Sequence, residues 1–184
     1  MFKTENETII EKAIINRKNA ANTNRGYKIL VNKIIIILIV GYILFTQFFL
    51  ITQVTGNGMF PAIKDGDLTI VFKLEQKYRK NDVISYKNNK KNYIGRVVAC
   101  ENDVVTINEN GNLIVNGTIQ DEEIMYPTYE KEESQITYPY RVPEGCVFVL
   151  GDYRTQTEDS RDFGPISKKD LEGKVITILR RRGL

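Results

Sequence analysis

Any chemistry in this chain must be done without histidine, because its 184 residues contain none. Ser-His and Cys-His nucleophile systems and every histidine metal site are thereby excluded. The two cysteines, Cys100 and Cys146, lie 46 positions apart and form no CxxC, so neither a structural zinc site nor any other metal site is expected. They read as two small buried hydrophobes, and a disulfide stays open to them if they lie outside a cell. Three patches remain in which glycine, hydroxyl, carboxylate and arginine come at close spacing. The first is Thr55-Gly56-Asn57-Gly58-Met59-Phe60-Pro61-Ala62, soon followed by Asp65-Gly66-Asp67. The second runs from Tyr93 through Gly95-Arg96-Val97 to Asp103. The third is Gly151-Asp152-Tyr153-Arg154 through Thr157, Asp159-Ser160-Arg161 and Gly164. The first bend carries glycine and asparagine where a backbone needs positive φ or close approach, yet no strong nucleophile. Singly, each patch is a turn or a solvated charged loop.

The elements that position these patches begin with a membrane span. Residues 34–52, IIIILIVGYILFTQFFLIT, form a run of 19 without a formal charge. As a helix it would be roughly 28 Å long, close to the bilayer's hydrocarbon thickness. A cleaved signal peptide has a shorter apolar core, a shorter basic leader and a small-residue cleavage site, none of which fits. The run is read as a single transmembrane anchor between a tail of residues 1–33 and a domain of residues 53–184. The tail holds seven Lys and Arg against three Asp and Glu, a net +4, whereas residues 53–184 hold nineteen against twenty, a net −1. The positive-inside rule then places the N-terminus in the cytoplasm and the main domain outside the plasma membrane. The slight overall excess of base is a topogenic signal and makes no case for nucleic-acid binding. Thr4 and Glu7 have capping-box spacing ahead of Ile9, Ile10, Ala13 and Ile14, consistent with a juxtamembrane or interfacial helix.

Beyond the anchor the pattern is mostly β. Short apolar or alternating runs occur at 68–73, 82–87, 92–99, 103–108, 112–116, 146–150 and 174–180. Asn110-Gly111-Asn112 joins two of them as a hairpin, and Asp65-Gly66-Asp67 marks another turn. No helical periodicity is sustained after the anchor. The stretch 119–140 is acidic, rich in tyrosine and broken by proline, and is expected to be a long surface excursion.

In their order after one anchor, the three patches resemble the type I signal peptidases (S26) of Gram-positive type, membrane-bound serine proteases that trim secreted proteins. The family motif S/D-G-x-S-M-x-P-T stands here as 55–62, and its GD pair as Gly66-Asp67. K-R-V-x-G-x-x-G-D stands as 95–103, and G-D-N-R-x-x-S-x-D-S-R-x-F/Y-G is nearly whole at 151–164. The resemblance covers roughly residues 34–184 and implies a signal-peptidase-type β-sheet domain. In the family a serine nucleophile is activated by a lysine whose pKa burial has lowered. The matching positions are Gly58 and Gly95, so both halves of the dyad are missing. The resemblance implies a peptide-binding cleft of Gly56, Gly58, Met59 and Gly95, whose floor the two glycines would enlarge. It assigns structural support to Asp152, Arg154, Thr157, Asp159 and Arg161. Thr157 stands where the family hydroxyl bonds the catalytic lysine, and would have lost that partner. Thr55 would need a rearranged bend to act as nucleophile, and Lys64 reads as a solvated turn residue.

The reading that follows is a member that binds secreted polypeptides without cutting them and needs no cofactor. It resembles the degenerate signal-peptidase-like proteins of pilus assembly, which implies a pilin substrate and a neighbouring sortase. Two alternatives stand beside it: an active signal peptidase with an unrecognised nucleophile, and a structural membrane scaffold. The charge asymmetry generates one direct test. A protease added to intact protoplasts should degrade the chain beyond about residue 53 and spare the tail, whereas protection of the large domain would reverse the orientation.

Overall fold

In the computed structural model the described residues are 5–75, 77–121, 124–132, 134 and 136–180. The chain divides into two compact units, residues 1–46 and 47–184. A helix α1 spans Glu5–Phe48; Thr4 of the expected capping box lies outside the described residues. Within it Arg25–Phe48 is long and apolar enough to cross a membrane, its most apolar 18-residue window having a mean hydropathy of 2.5. Its isoleucines and leucines are exposed all round, Ile37 at 68% and Leu38 at 66%, which suits lipid contact and membrane anchoring.

The uncharged run 34–52 is not one helix. It splits at Phe48, and β1 is Phe49–Gln53. A continuous apolar run does not distinguish helix from buried strand; the deciding contact lies 23 positions away, where Phe49 pairs with Phe72. The seven expected strands are all present: β2 (Leu68–Phe72), β3 (Val83–Asn88), β4 (Lys91–Ala99), β5 (Val104–Ile107), β6 (Leu113–Val115), β9 (Cys146–Leu150) and β11 (Leu171–Leu179). Three short strands carry too little pattern to be read from sequence: β7 (Thr118–Ile119), β8 (Tyr140–Arg141) and β10 (Ile166–Ser167). The unit is mostly β. One sheet has the order β1-β2-β11-β3-β4-β9-β10, and a smaller one has the order β7-β6-β5-β8.

Strand β9 organises two cores by simple alternation. Phe148 and Leu150 join Val98, Val105, Leu113 and Val115 in a core shared by the two sheets, while Val147 and Val149 join Ile84, Tyr86 and Val97 on the opposite face. Cys146 packs against the first core and Cys100 against the second, and both thiols are free. A third cluster, Val54, Met59 and Ile63, pins the first bend.

After β9 the chain turns through the third patch into a single helical turn, α2 (Ser160–Phe163). Asp159 caps it, and Asp162 returns a bond to the Asp159 backbone, a capping box that reads as D-x-x-D in the sequence. Asp159 and Arg161 form a bidentate pair, with Nε at 2.9 Å from Oδ1 and Nη2 at 2.8 Å from Oδ2. Each residue is 1% exposed. The carboxylate also accepts the Gly151 N–H at 3.1 Å, and the guanidinium donates to the carbonyls of Arg154 and Tyr129 at 2.6 and 3.0 Å. The 119–140 excursion is therefore not simply laid over the surface: Thr128 is 2% exposed and bonded by Arg154 Nη1. Removing one member of a buried pair strands the other charge, at about 3–5 kcal/mol. Arg161→Ala should therefore lower the melting temperature steeply, and an unchanged melt would deny the pair its structural role.

Candidate functional site

The first bend is shaped by its backbone. Gly56, at φ +86°, donates its N–H to Asp65 Oδ1 at 2.7 Å, and Phe60 N–H bonds the Asn57 carbonyl at 2.9 Å. Met59 and Ile63, 2% and 1% exposed, anchor it from below while the Gly58 carbonyl accepts the Tyr153 N–H at 3.0 Å. The third patch thus lies directly on the first. Arg96 ties in the second: its Nε and Nη2 grip both oxygens of Asp152 at 2.8 and 2.7 Å. Arg154 Nε bonds the Gly151 carbonyl at 2.9 Å and Ser160 Oγ accepts the Val149 N–H at 2.9 Å. The structure brings every predicted site residue into this one region.

An open cavity of about 640 Å³ runs over the bend. Gly56, Gly58, Met59 and Thr157 line it, whereas Gly95 is buried behind it. Its two walls are Thr52–Val54, continuing the edge strand β1, and the start of β4. Residues 91–94 of β4 pair only with β3, since β9 begins to pair at Arg96. Both walls therefore present backbone N–H and C=O groups able to accept another extended chain.

The glycines do not enlarge the floor as expected, because neighbours have filled the space. A Cβ on Gly58 would lie 2.8 Å from Thr157 Cγ2, and one on Gly95 would lie 2.5 Å from Val149 Cγ1 and 3.3 Å from the Leu150 carbonyl oxygen. Gly151 is equally closed: its Cβ would meet Thr157 Cγ2 at 2.3 Å and the Gly58 carbonyl oxygen at 2.6 Å. Nor has Thr157 been left without a partner, since its hydroxyl donates to the Tyr153 carbonyl. Lys64 is exposed and lies over the Phe60 ring at 5.9 Å, and Thr55 is exposed at the cavity rim.

Of the hydroxyl residues lining the cavity (Thr52, Thr55, Ser85, Tyr93 and Thr157), none has its hydroxyl hydrogen-bonded to a lysine amine among the described residues. Ser85 Oγ donates to Glu172 Oε2 at 2.8 Å, and Glu172 Oε1 is paired with Lys87 at 2.9 Å. Sequence reasoning missed Ser85, Lys90, Lys91, Tyr93 and Glu158 as lining residues. Tyr93 Oη donates to Glu158 Oε2 at 3.0 Å across 65 positions, a separation no local pattern spans. Tyr93 stacks on Tyr86 with ring centroids 5.6 Å apart. Burial, and then the Asp159 charge, push the Tyr86 phenol well above its ordinary pKa. Burial, reinforced by the bond to Glu158, also raises the Tyr93 phenol.

The signal peptidase, peptidase S26, family model matches residues 27–179. A signal peptidase I of Bacillus caldolyticus is 36% identical over 136 residues, 66% of this chain and 74% of the relative. A signal peptidase IB of Staphylococcus aureus is 33% identical over 159 residues, 77% and 81% of the two chains. A crystal structure of a signal peptidase I from Enterococcus faecalis is 27% identical, with a TM-score of 0.46, over 55% of this chain and 98% of its own.

The packing at Gly95 yields a test. Gly95→Ala should destabilise the protein by about 1–3 kcal/mol through overpacking, and Val149→Ala added to it should restore part of that loss. An unchanged melting temperature for Gly95→Ala would contradict the close packing of Val149.

Proposed function

The chain belongs to the signal peptidase family S26, and from that premise we propose that it is a membrane-anchored member that holds secreted polypeptides without cleaving them. Family membership implies membrane association and secreted polypeptide substrates. One observation carries the finer reading. At the two positions that match the family's serine and lysine stand Gly58 and Gly95, and the space their side chains would need is taken by Thr157 and Val149. Acyl transfer needs a nucleophile and a base in contact. Loss of one dyad member costs orders of magnitude in rate, and loss of both leaves positioning and hydrogen-bond donors alone.

Binding needs neither group. An extended segment adds between the open edges of β1 and β4, held by main-chain hydrogen bonds, with its side chains alternating between the groove and solvent. Asp152, Arg154, Asp159 and Arg161 support the groove without touching the bound segment. In this reading the domain faces outward, as the basic tail favours. The bound polypeptide is a secreted chain or a pilin presented beside a sortase in surface pilus assembly, the role to which the resemblance points.

The test uses the full chain in detergent with a secretory preprotein. No cleavage above background is expected. Restoring the dyad calls for room as well as reactive groups, so the informative variant combines Gly58→Ser and Gly95→Lys with Thr157→Ser and Val149→Ala. In it, burial lowers the new amine's pKa and slow cleavage should appear. Cleavage at one site by the unmodified chain, abolished by Thr55→Val or Thr157→Val, would overturn the reading.

A further inference from the structure

The cavity is not neutral along its length. At one end a two-residue turn, Asn89 and Lys90 at φ 47° and 67°, folds β3 back into β4 and brings Lys90 and Lys91 into the lining. The other charged residue of the lining, Glu158, is exposed, and Lys87 lies nearby on β3. Lys87 is paired with Glu172 at 2.9 Å, and Glu158 accepts the Tyr93 hydroxyl at 3.0 Å. Lys90 and Lys91 are exposed, and neither forms an ion pair among the described residues. Two lysines adjacent in sequence thus stand on the wall whose backbone edge is open. Lys91 lies four residues before Gly95 on β4, a rise of about 13 Å.

We propose that the groove selects an extended segment carrying a carboxylate, which Lys90 and Lys91 hold at the end where β3 turns into β4. This rests on the peptide-binding reading above. Anionic lipid headgroups would attract the same ammonium groups. A peptide is favoured because the lysines line the cavity beside the open backbone edges, where a strand-like chain brings its side chains within reach.

The experiment measures fluorescence anisotropy of dye-labelled peptides of about eleven residues binding to the full chain in detergent. The central residue is Ala, and the fourth position on either side is Glu in one peptide and Gln in the other. The Glu peptide should bind about fivefold more tightly at low salt, with the difference fading near 0.5 M salt. The double variant Lys90→Gln, Lys91→Gln should abolish the preference, and Lys169→Gln, at an exposed lysine outside the cavity, should preserve it. Equal affinity for the two peptides, or a preference that survives the double variant, would overturn the proposal and leave peptide binding intact. Failure of both peptides to bind would remove the peptide-binding reading and the proposal with it. Loss of binding to anionic vesicles in the double variant, with the peptide preference unchanged, would assign the lysines to lipid and also overturn the proposal.

Discussion

The buried pair of Asp159 and Arg161 is the constraint around which the site is assembled. A carboxylate and a guanidinium removed from water are tolerable only when each hydrogen-bonding position is filled. Filling them recruits the backbone of Gly151 at the end of β9, the carbonyl of Arg154 in the third patch and the carbonyl of Tyr129 in the acidic excursion. The third patch is thereby folded onto itself and tied to a segment some thirty residues earlier, at Tyr129. The next ties follow from it: Arg154 bonds Gly151 and Thr128, and Tyr153 donates its N–H to Gly58. The first bend is thus fastened to a charge pair about a hundred residues later in the chain.

Held this tightly, the region has no slack for new volume. Protein interiors are packed to crystal-like density, so an atom added where a neighbour already sits forces a shift. Gly58, Gly95 and Gly151 each face a side chain or carbonyl closer than a real Cβ would permit. The glycines and their neighbours Thr157 and Val149 form a matched set. In the reading proposed above, a site built this way keeps the walls and edges that binding uses.

The first strand illustrates a different balance. Phe49–Gln53 continues directly from an apolar helix, and its hydrophobic residues would satisfy a lipid-facing helix equally well. The register of β1 on β2 settles the matter, pairing five residues and setting the Phe49 ring 5.7 Å from that of Phe72. The same pairing leaves the other edge of β1 open at the groove, so ending the helix at Phe48 is also what creates one of its walls.

By itself the sequence determined whatever depends on local pattern and residue type. The uncharged run announced an anchor, alternation announced seven strands, and the absence of histidine with glycine at 58 and 95 limited the chemistry available. The resemblance of the last motif also assigned Asp159 and Arg161 to structural support, and the fold pairs them. Tertiary structure alone decided where the apolar run stops being helix, since a distant partner strand sets that point. It decided that the glycine sites are filled, because Thr157 and Val149 approach them from other segments. It also placed Lys90, Lys91, Tyr93 and Glu158 in one cavity, for no periodicity within a strand encodes which residues a fold will bring face to face.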